Sequence, residues 1–326
     1  MFGSDPEFFI VDKDGTPVSA HKFFPPKNAP LCRGDGSAEL FRDGYVLELN
    51  VQPRSCRQEF AGAIQRTLKE AQKHLPVGYS LRAVPSMKIS RKDLVGAPDD
   101  VMLFGCDPSA DAYTGEDKTI NLNGMTHLYR YAGGHLHYSD PSAWIKDRKS
   151  RDLCVKMLDL YLGVPFTFLF NSLDEFRRRR YYGQAGEYRF QKYPYGGCGI
   201  EYRVLSPRVM NNPALLSLCT GILRHVVTNF DTLRANWDTT IERKVQRAIN
   251  TGFGLVELLP TLDRFYTPEL LMGAAGAFSL FDFPTEDVFA ATWGEWIRTC
   301  TGRPLALYRG DKNYFNPLPN PHFWYA

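Results

Sequence analysis

Hydrophobic and polar positions divide the chain into two parts. Up to about residue 210, short stretches alternate with period two, as half-buried strands do. Pro6–Val11 is such a stretch, and Asp12-Lys13-Asp14-Gly15 turns it back into Thr16–Val18. Residues 34–42 and 43–51 read as two strands joined at Arg42-Asp43-Gly44, and further strands are expected over 80–87, 133–138 and 199–205. Two helices interrupt them. Residues 58–75 place Phe60, Ile64, Leu68 and Ala71 on one stripe, and 151–162 do the same with Leu153, Cys154, Met157, Leu158, Tyr161 and Leu162. Phe166–Phe170 reads as an apolar strand or core segment, and the run Arg177–Arg180 as a solvated helix face or a helix C-terminus. Residues 96–124 are dense in turn formers and read as a long irregular loop.

Beyond residue 210 the period changes. Asn212-Pro213 suits a helix start, with Leu215, Leu218, Ile222, Val226 and Phe230 on one face, and more helices are expected over 239–250, 267–278 and 285–297. The fold class is therefore α+β. A mainly antiparallel sheet spans 1–210, and a helical part over 211–326 packs with it as one domain.

Chemistry enters through residues two apart, which share a strand face. Asp5 and Glu7, Glu48 and Asn50, His135 and His137, and Glu201 and Arg203 are four such pairs. A single E-x-R is an ordinary ion pair, but four polar pairs on four candidate strands are not. If one sheet gathers them, its polar face crowds carboxylates that repel and raise one another's pKa. Divalent cations resolve that conflict, and carboxylate with imidazole suits Mg²⁺ or Mn²⁺.

Composition narrows the class further. Across 326 residues, 39 basic against 36 acidic side chains leave a net charge of +3, so no global field recruits nucleic acid. Seven cysteines, odd in number and without C-x-x-C spacing, argue for reduced thiols rather than a zinc knuckle or disulfide framework. Neither a signal peptide nor a bilayer-spanning run is evident, and a cytoplasmic protein is expected.

The motifs GSDPEFF, DGYVLELN, GCDPSADAYTGE, AGGHLHY, LDLYLGVP, YGQAGEYR and GIEYRVLSP occur in this order. The ordered set resembles the COOH-NH2 ligase type 2 amidoligases, known largely from bacteriophages and placed with the glutamine synthetase and glutamate-cysteine ligase superfamily. The resemblance covers roughly residues 3–205. It implies a glutamine synthetase-like antiparallel sheet whose polar face binds ATP with two or three Mg²⁺ ions, helices packing on the other face. By motif, Asp5, Glu7, Glu48, His135 and Glu201 resemble the metal ligands, Asp5 standing where many relatives have Glu. Arg203 and Arg189, with Glu201, resemble the groups around the transferred phosphate. His135 and His137 fall in the nucleotide site, His135 being expected to matter more; Lys27 is within reach of a phosphate and Tyr113 is suited to stack on a base. A phage-encoded enzyme would work in the host cytoplasm.

The implied reaction is ATP-dependent amide or isopeptide formation through an acyl phosphate, joining a small-molecule or peptide carboxylate to an amine. The residue that handles the amine is open between Glu187, Asp140 and Glu39. Competing readings are a phosphotransferase of the phosphagen-kinase type, a metal-dependent nuclease and a catalytically silent nucleotide-binding protein. Substrate identity and oligomeric state are not readable from the chain.

Overall fold

The computed structural model describes residues 1–104, 108–120, 122–193, 197–211 and 213–265. The helices expected over 267–278 and 285–297 lie outside the described residues. The chain begins with β1 (Phe2–Ser4), β2 (Glu7–Val11), β3 (Pro17–Val18), β4 (Leu31–Cys32), β5 (Ala38–Asp43) and β6 (Val46–Arg54), followed by α1 (Arg57–Lys73). Short strands come next: β7 (Ser80–Arg82), β8 (Ser86–Lys88), β9 (Ser109–Asp111), β10 (Asp117–Lys118), β11 (Tyr129–Tyr131) and β12 (Leu136–Ser139). Then follow α2 (Arg148–Leu158), α3 (Val164–Leu169), α4 (Leu173–Arg179), β13 (Glu187–Lys192) and β14 (Cys198–Tyr202). The described part ends with α5 (Pro213–Thr228), α6 (Phe230–Ala235), α7 (Glu242–Thr251) and α8 (Leu259–Phe265).

The main sheet runs β10-β9-β13-β14-β12-β1-β6-β2-β3, with β5 on the outer side of β6, β4 beyond it, and β7 beside β2. All its ladders are antiparallel. The fold is thus α+β. Period-two alternation decides which side of the sheet is covered. Phe2, Tyr138, Ile200 and Phe190 oppose one another across β1, β12, β14 and β13, and Leu136, Tyr202 and Tyr188 form the next row. Apart from Phe190, these rows meet Phe60, Ile64 and Leu68 of α1, Leu158 of α2 and Leu218 and Ile222 of α5 in one apolar cluster that reaches Leu262 of α8. Each such aliphatic side chain, fully buried, contributes about 1.5–3 kcal/mol.

A second, smaller cluster lies elsewhere. Phe9, Tyr45 and Val46 pack with Ile89, Leu94, Val101 and Ala132 around the small sheet of β8 and β11. Phe9 is two residues from Glu7, and Val46 two from Glu48, so both share the face that carries these carboxylates. One end of that face is therefore apolar and roofed, while the rest stays polar.

Four local expectations change. The 80–87 strand is two strands in different sheets, because Pro85 cannot continue a ladder. Phe166–Phe170 is not a strand; Val164–Leu169 is helical and joined to α2 by a π-helical turn over Asp159–Gly163. A short run that is apolar all round carries no period to separate the two. Within 96–124, β9 and β10 pair and extend the main sheet through β13. The arginine run does close a helix, α4, but it is not a solvated face, since Arg178 and Arg179 are 0% and 1% exposed. Arg178 donates to the carbonyls of Arg203, Val204 and Leu205 at 2.9–3.0 Å, and Arg179 to Thr167 Oγ1 at 2.8 Å and to Ile249 O. The chain beyond β14 has left its ladder, and the guanidinium takes the carbonyls that a strand neighbour would have bonded. No helix among the described residues is long and apolar enough to cross a membrane.

Candidate active site

Two rows of paired residues build the site. Across β1, β12, β14 and β13, the register sets Gly3, His137, Glu201 and Arg189 side by side, on the side opposite the helices. Gly3 contributes no side chain to the row. Arg203 lies two residues beyond Glu201, and Glu187 and Gln191 flank Arg189 at the same spacing. The second row is Phe41, Glu48 and Glu7 across β5, β6 and β2. Asp43, two residues from Phe41, extends it.

These rows yield two acidic groups rather than one. In the first, ligand atoms of Asp5, His137 and Glu201 all lie within 4.8 Å of one another. Asp5 Oδ1 is 2.9 Å from His137 Nε2 and 3.0 Å from His135 Nδ1. Glu201 is ion-paired with Arg203, accepts from Gln191 Nε2 at 2.5 Å, and lies 3.5 Å from Arg189. Compensation governs the titration. Burial pushes the Asp5 carboxyl up, but His137 and His135 outweigh it and hold it well below the usual carboxylate range. Burial and Asp5 push Glu201 up, yet Arg203 and the two imidazoles bring it below its ordinary value.

The second group is Glu7, Asp43 and Glu48, again with all ligand atoms within 4.8 Å. Its nearest cation is Lys27, whose Nζ is 3.5 Å from Glu48 Oε1 on a side chain that is 70% exposed. Burial first, then the neighbouring Asp43, push Glu7 up to about 8. Burial with Asp5 and Asp43 pushes Glu48 well above the carboxylate range, and burial raises Asp43 as well. Burial and mutual repulsion thus outweigh the pull of Lys27 and Arg203 across this group.

Tyr182 links the two groups. Its hydroxyl is 2.5 Å from His135 Nε2, 3.2 Å from Glu7 Oε1, and accepts from Arg203 at 3.2 Å. Burial and the Arg203 charge lower His135 to about 4, so its ring is neutral. A neutral ring donates from Nδ1 to Asp5 and accepts the Tyr182 proton on Nε2. His137 titrates the other way: burial opposes its charge, but Asp5 prevails and raises it. This junction needs Gly133, where a Cβ would come within 2.1 Å of His135 Nε2 and 2.6 Å of the Tyr182 hydroxyl. The Gly133 N–H also donates to Glu7 Oε2 at 2.5 Å.

The structure thus brings together Asp5, Glu7, Glu48, His135, His137, Arg189, Glu201, Arg203 and Lys27. The triad with Asp5 and Glu201 takes His137 as its third member, whereas His135 was expected to outrank it. Tyr113 does not join them. Its ring packs against the main apolar cluster with Lys156 Nζ 5.3 Å from its centroid. Of the candidates for the amine, Glu39 accepts from Asn50 at 2.8 Å and Asp140 caps the turn at Ser142, leaving Glu187 beside Arg203. Asp43, Tyr182 and Gln191 escaped the sequence reading. Gln191 follows the same period as Glu187 and Arg189 and was readable; Asp43 was masked by its hairpin turn.

Two cavities open at the site and share Ile120 and Tyr182. One, of about 50 Å³, reaches Glu7 and Asp43 under Tyr45, Phe104 and Tyr131. The other, of about 370 Å³, reaches Glu187 and Arg203.

Comparison with protein families finds a likeness to carboxylate-amine ligases. Residues 108–253, a little under half of the chain, match the family described as phage phiEco32-like COOH.NH2 ligase type 2. The matched stretch holds His135, His137, Tyr182, Glu187, Arg189, Glu201 and Arg203; Asp5, Glu7, Asp43 and Glu48 precede it and join the site by geometry. A search of curated proteins gave no match.

Proposed function

We propose that the chain is an ATP-dependent carboxylate-amine ligase on a glutamine synthetase-like fold, activating its acid as an acyl phosphate. The observation that carries this reading is the pair of adjoining acidic groups, one neutralised by arginine and histidine and the other short of positive charge. The donors fit divalent metal. Glu7, Asp43 and Glu48 offer hard oxygen ligands whose raised pKa values mark an unmet need for a cation, and Asp5, His137 and Glu201 offer an oxygen and nitrogen set. Mg²⁺ or Mn²⁺ held by these residues would neutralise nucleotide phosphates.

The chain's own residues do the rest. A carboxylate has no usable leaving group, so its oxygen first attacks the γ-phosphorus of ATP and ADP departs. The amine nitrogen then attacks the acyl carbon, loses its surplus protons, and inorganic phosphate leaves with the C–O electron pair. Both steps gather negative charge on the transferring phosphoryl, where Arg203 and Arg189 supply guanidinium donors. Buried Glu201 and Arg178 restrain Arg203, one through its guanidinium and the other through its carbonyl. Neutral His135, held between Asp5 and Tyr182, keeps a proton donor aimed at Asp5 without adding charge. Lys27, exposed beside Glu48, is within the site's reach as a further phosphate partner.

The test is product analysis after incubation with Mg²⁺, ATP and a metabolite or peptide extract. A ligase gives ADP, inorganic phosphate and a product lighter by one water than its two parents. Phosphate retained on an acceptor would indicate a phosphotransferase, and nucleotide binding without turnover a silent binding protein.

A further inference from the structure

The last turn of α4 holds a buried cation whose partners all belong to the site. Arg178 is fully buried, and its guanidinium donates to three consecutive carbonyls, those of Arg203, Val204 and Leu205, at 2.9–3.0 Å. Its own carbonyl accepts the N–H groups of Tyr181 and Tyr182 at 3.0 and 2.8 Å. The guanidinium carbon lies 4.7 Å from the centroid of the Tyr182 ring, and that of Arg203 lies 5.2 Å from the same centroid. Gly183 follows at φ +69°, and a Cβ there would overlap the Arg178 guanidinium. The Gly183 N–H donates to Glu187 Oε2 at 2.6 Å, and the Glu187 carbonyl accepts the Arg203 N–H at 3.1 Å. These bonds close a ring through Arg178, Gly183, Glu187 and Arg203. Leu205 O also accepts the Gly134 N–H at 3.0 Å, next to His135.

Filling space does not account for this choice of residue. A guanidinium is costly to bury unless its donors are met, and the bonds this one makes go to Arg203 and the two residues after it. A planar fork serves several carbonyls in fixed directions, whereas a lysine ammonium is a point charge on a flexible stem. We propose that Arg178 is a positioning residue for the phosphate end of the site. It fixes the Arg203 backbone by hydrogen bonds and the Tyr182 ring by stacking, so that the Arg203 guanidinium and the Tyr182 hydroxyl keep their 3.2 Å contact. Gly183 belongs to the same device, since a residue with a side chain would displace the guanidinium. The inference rests on the ligase reading for a nucleotide as the ligand of Arg203. The second acidic group is set apart from it: Glu7, Asp43 and Glu48 stand on β2, β5 and β6, to which Arg178 makes no bond among the described residues.

The experiment measures two affinities, that of AMP-PNP with Mg²⁺ by calorimetry and that of Mn²⁺ alone by electron paramagnetic resonance. Proteins are the intact chain, Arg178→Lys, Gly183→Ala, Arg203→Met and the double variant Arg178→Lys with Arg203→Met. Lysine keeps the charge and loses the fork, while Gly183→Ala displaces the guanidinium without altering it; melting curves check folding, and either single variant that folds carries the test. Each is expected to weaken AMP-PNP about tenfold, the size of one charge-assisted contact, and Mn²⁺ by less than about threefold. A merely structural role would lower Tm and leave both affinities of the folded protein alone. In the Arg203→Met background, Arg178→Lys is expected to cost less than about twofold more, because a residue acting through another is not additive with it. Unchanged AMP-PNP affinity in the single variants, equal losses of AMP-PNP and Mn²⁺, full additivity with Arg203→Met, or no AMP-PNP binding by the intact chain overturns the proposal. The ligase reading is tested apart from it. AMP-PNP affinity that depends on Arg178 and Gly183, with no amide formed from any amine, counts against the ligase and leaves the positioning role. ATP-dependent amide formation by the intact chain, with AMP-PNP affinity unchanged in the variants, does the reverse.

Discussion

The two acidic groups stand side by side on one sheet and have opposite electrostatics. Asp5 and Glu201 share two imidazoles and two arginines and titrate below their ordinary values, so the first group is stable as it stands. Glu7, Asp43 and Glu48 are offset in part by exposed Lys27 and by Arg203, yet burial prevails and all three are raised. Neighbouring clusters of similar composition therefore differ in what they lack. The first is a preformed anchor for charged groups, and the second becomes stable only when a cation arrives or protons remain.

Substitutions test that contrast. Glu201→Gln should lower ATP turnover by about a hundredfold or more. It should also destabilise the metal-free protein by about 3 kcal/mol, because Arg203 stays buried without its counter-charge. Urea unfolding in EDTA reads the second effect. Glu48→Gln is expected to cost comparable turnover but to move metal-free stability the other way, up by about 1 kcal/mol as repulsion is relieved. It should also abolish most of the rise in Tm that Mn²⁺ gives the intact chain. The same sign from both substitutions would erase the distinction between the groups.

Stability against pH separates them without mutation. Groups raised in the folded state favour folding while protonated, so the second group's contribution is present below about pH 4.5 and is lost as pH rises through about 8 for Glu7. Groups lowered in the folded state contribute above their ordinary carboxylate range and lose that contribution as pH falls. Metal-free stability should thus decline from pH 5 toward about 8, and Glu7→Gln should flatten that limb. A smaller effect concerns the histidines. His137→Ala should weaken Mn²⁺ binding by about tenfold and His135→Ala by less, the reverse of the order expected from sequence, by direct titration of the ion. The smallest is Lys27→Ala, which should change turnover by less than about threefold, since its partner contact is long and exposed.

Much of this site was legible because period two is a local rule. Asp5 with Glu7, His135 with His137, and Glu201 with Arg203 could be paired from spacing, and their strands do share one sheet. Division into two groups was not legible, since it depends on register: His137 meets Glu201, while Glu7 meets Glu48. Asp43 was read as a turn residue because Asp-Gly is a hairpin signal; it ends β5 and its carboxylate turns back to Glu48. Tyr182 serves by touching His135, Glu7 and Arg203, three residues remote in sequence, and no pattern around it announces that. Burial of Arg178 ran against the rule that charge runs are solvated, because the carbonyls that receive it belong to a segment 25 residues away that leaves its ladder. Beyond residue 210, α5 and α7 lie where helices were expected, whereas Phe230 begins a separate helix, α6, and α8 was not foreseen.

Asp5 and Pro6 separate β1 from β2, and that two-residue joint ties the groups mechanically. On one side β1 lies against β12 and, with it, the histidines; on the other β2 lies against β6 and Glu48. Deleting Pro6 would keep every ligand in the chain but put the two ladders out of phase, turning Glu7 toward the helices. The spacing of Asp5 from Glu7 is thus a gauge length for the whole polar face, less tolerant of insertion than of many changes in side-chain identity.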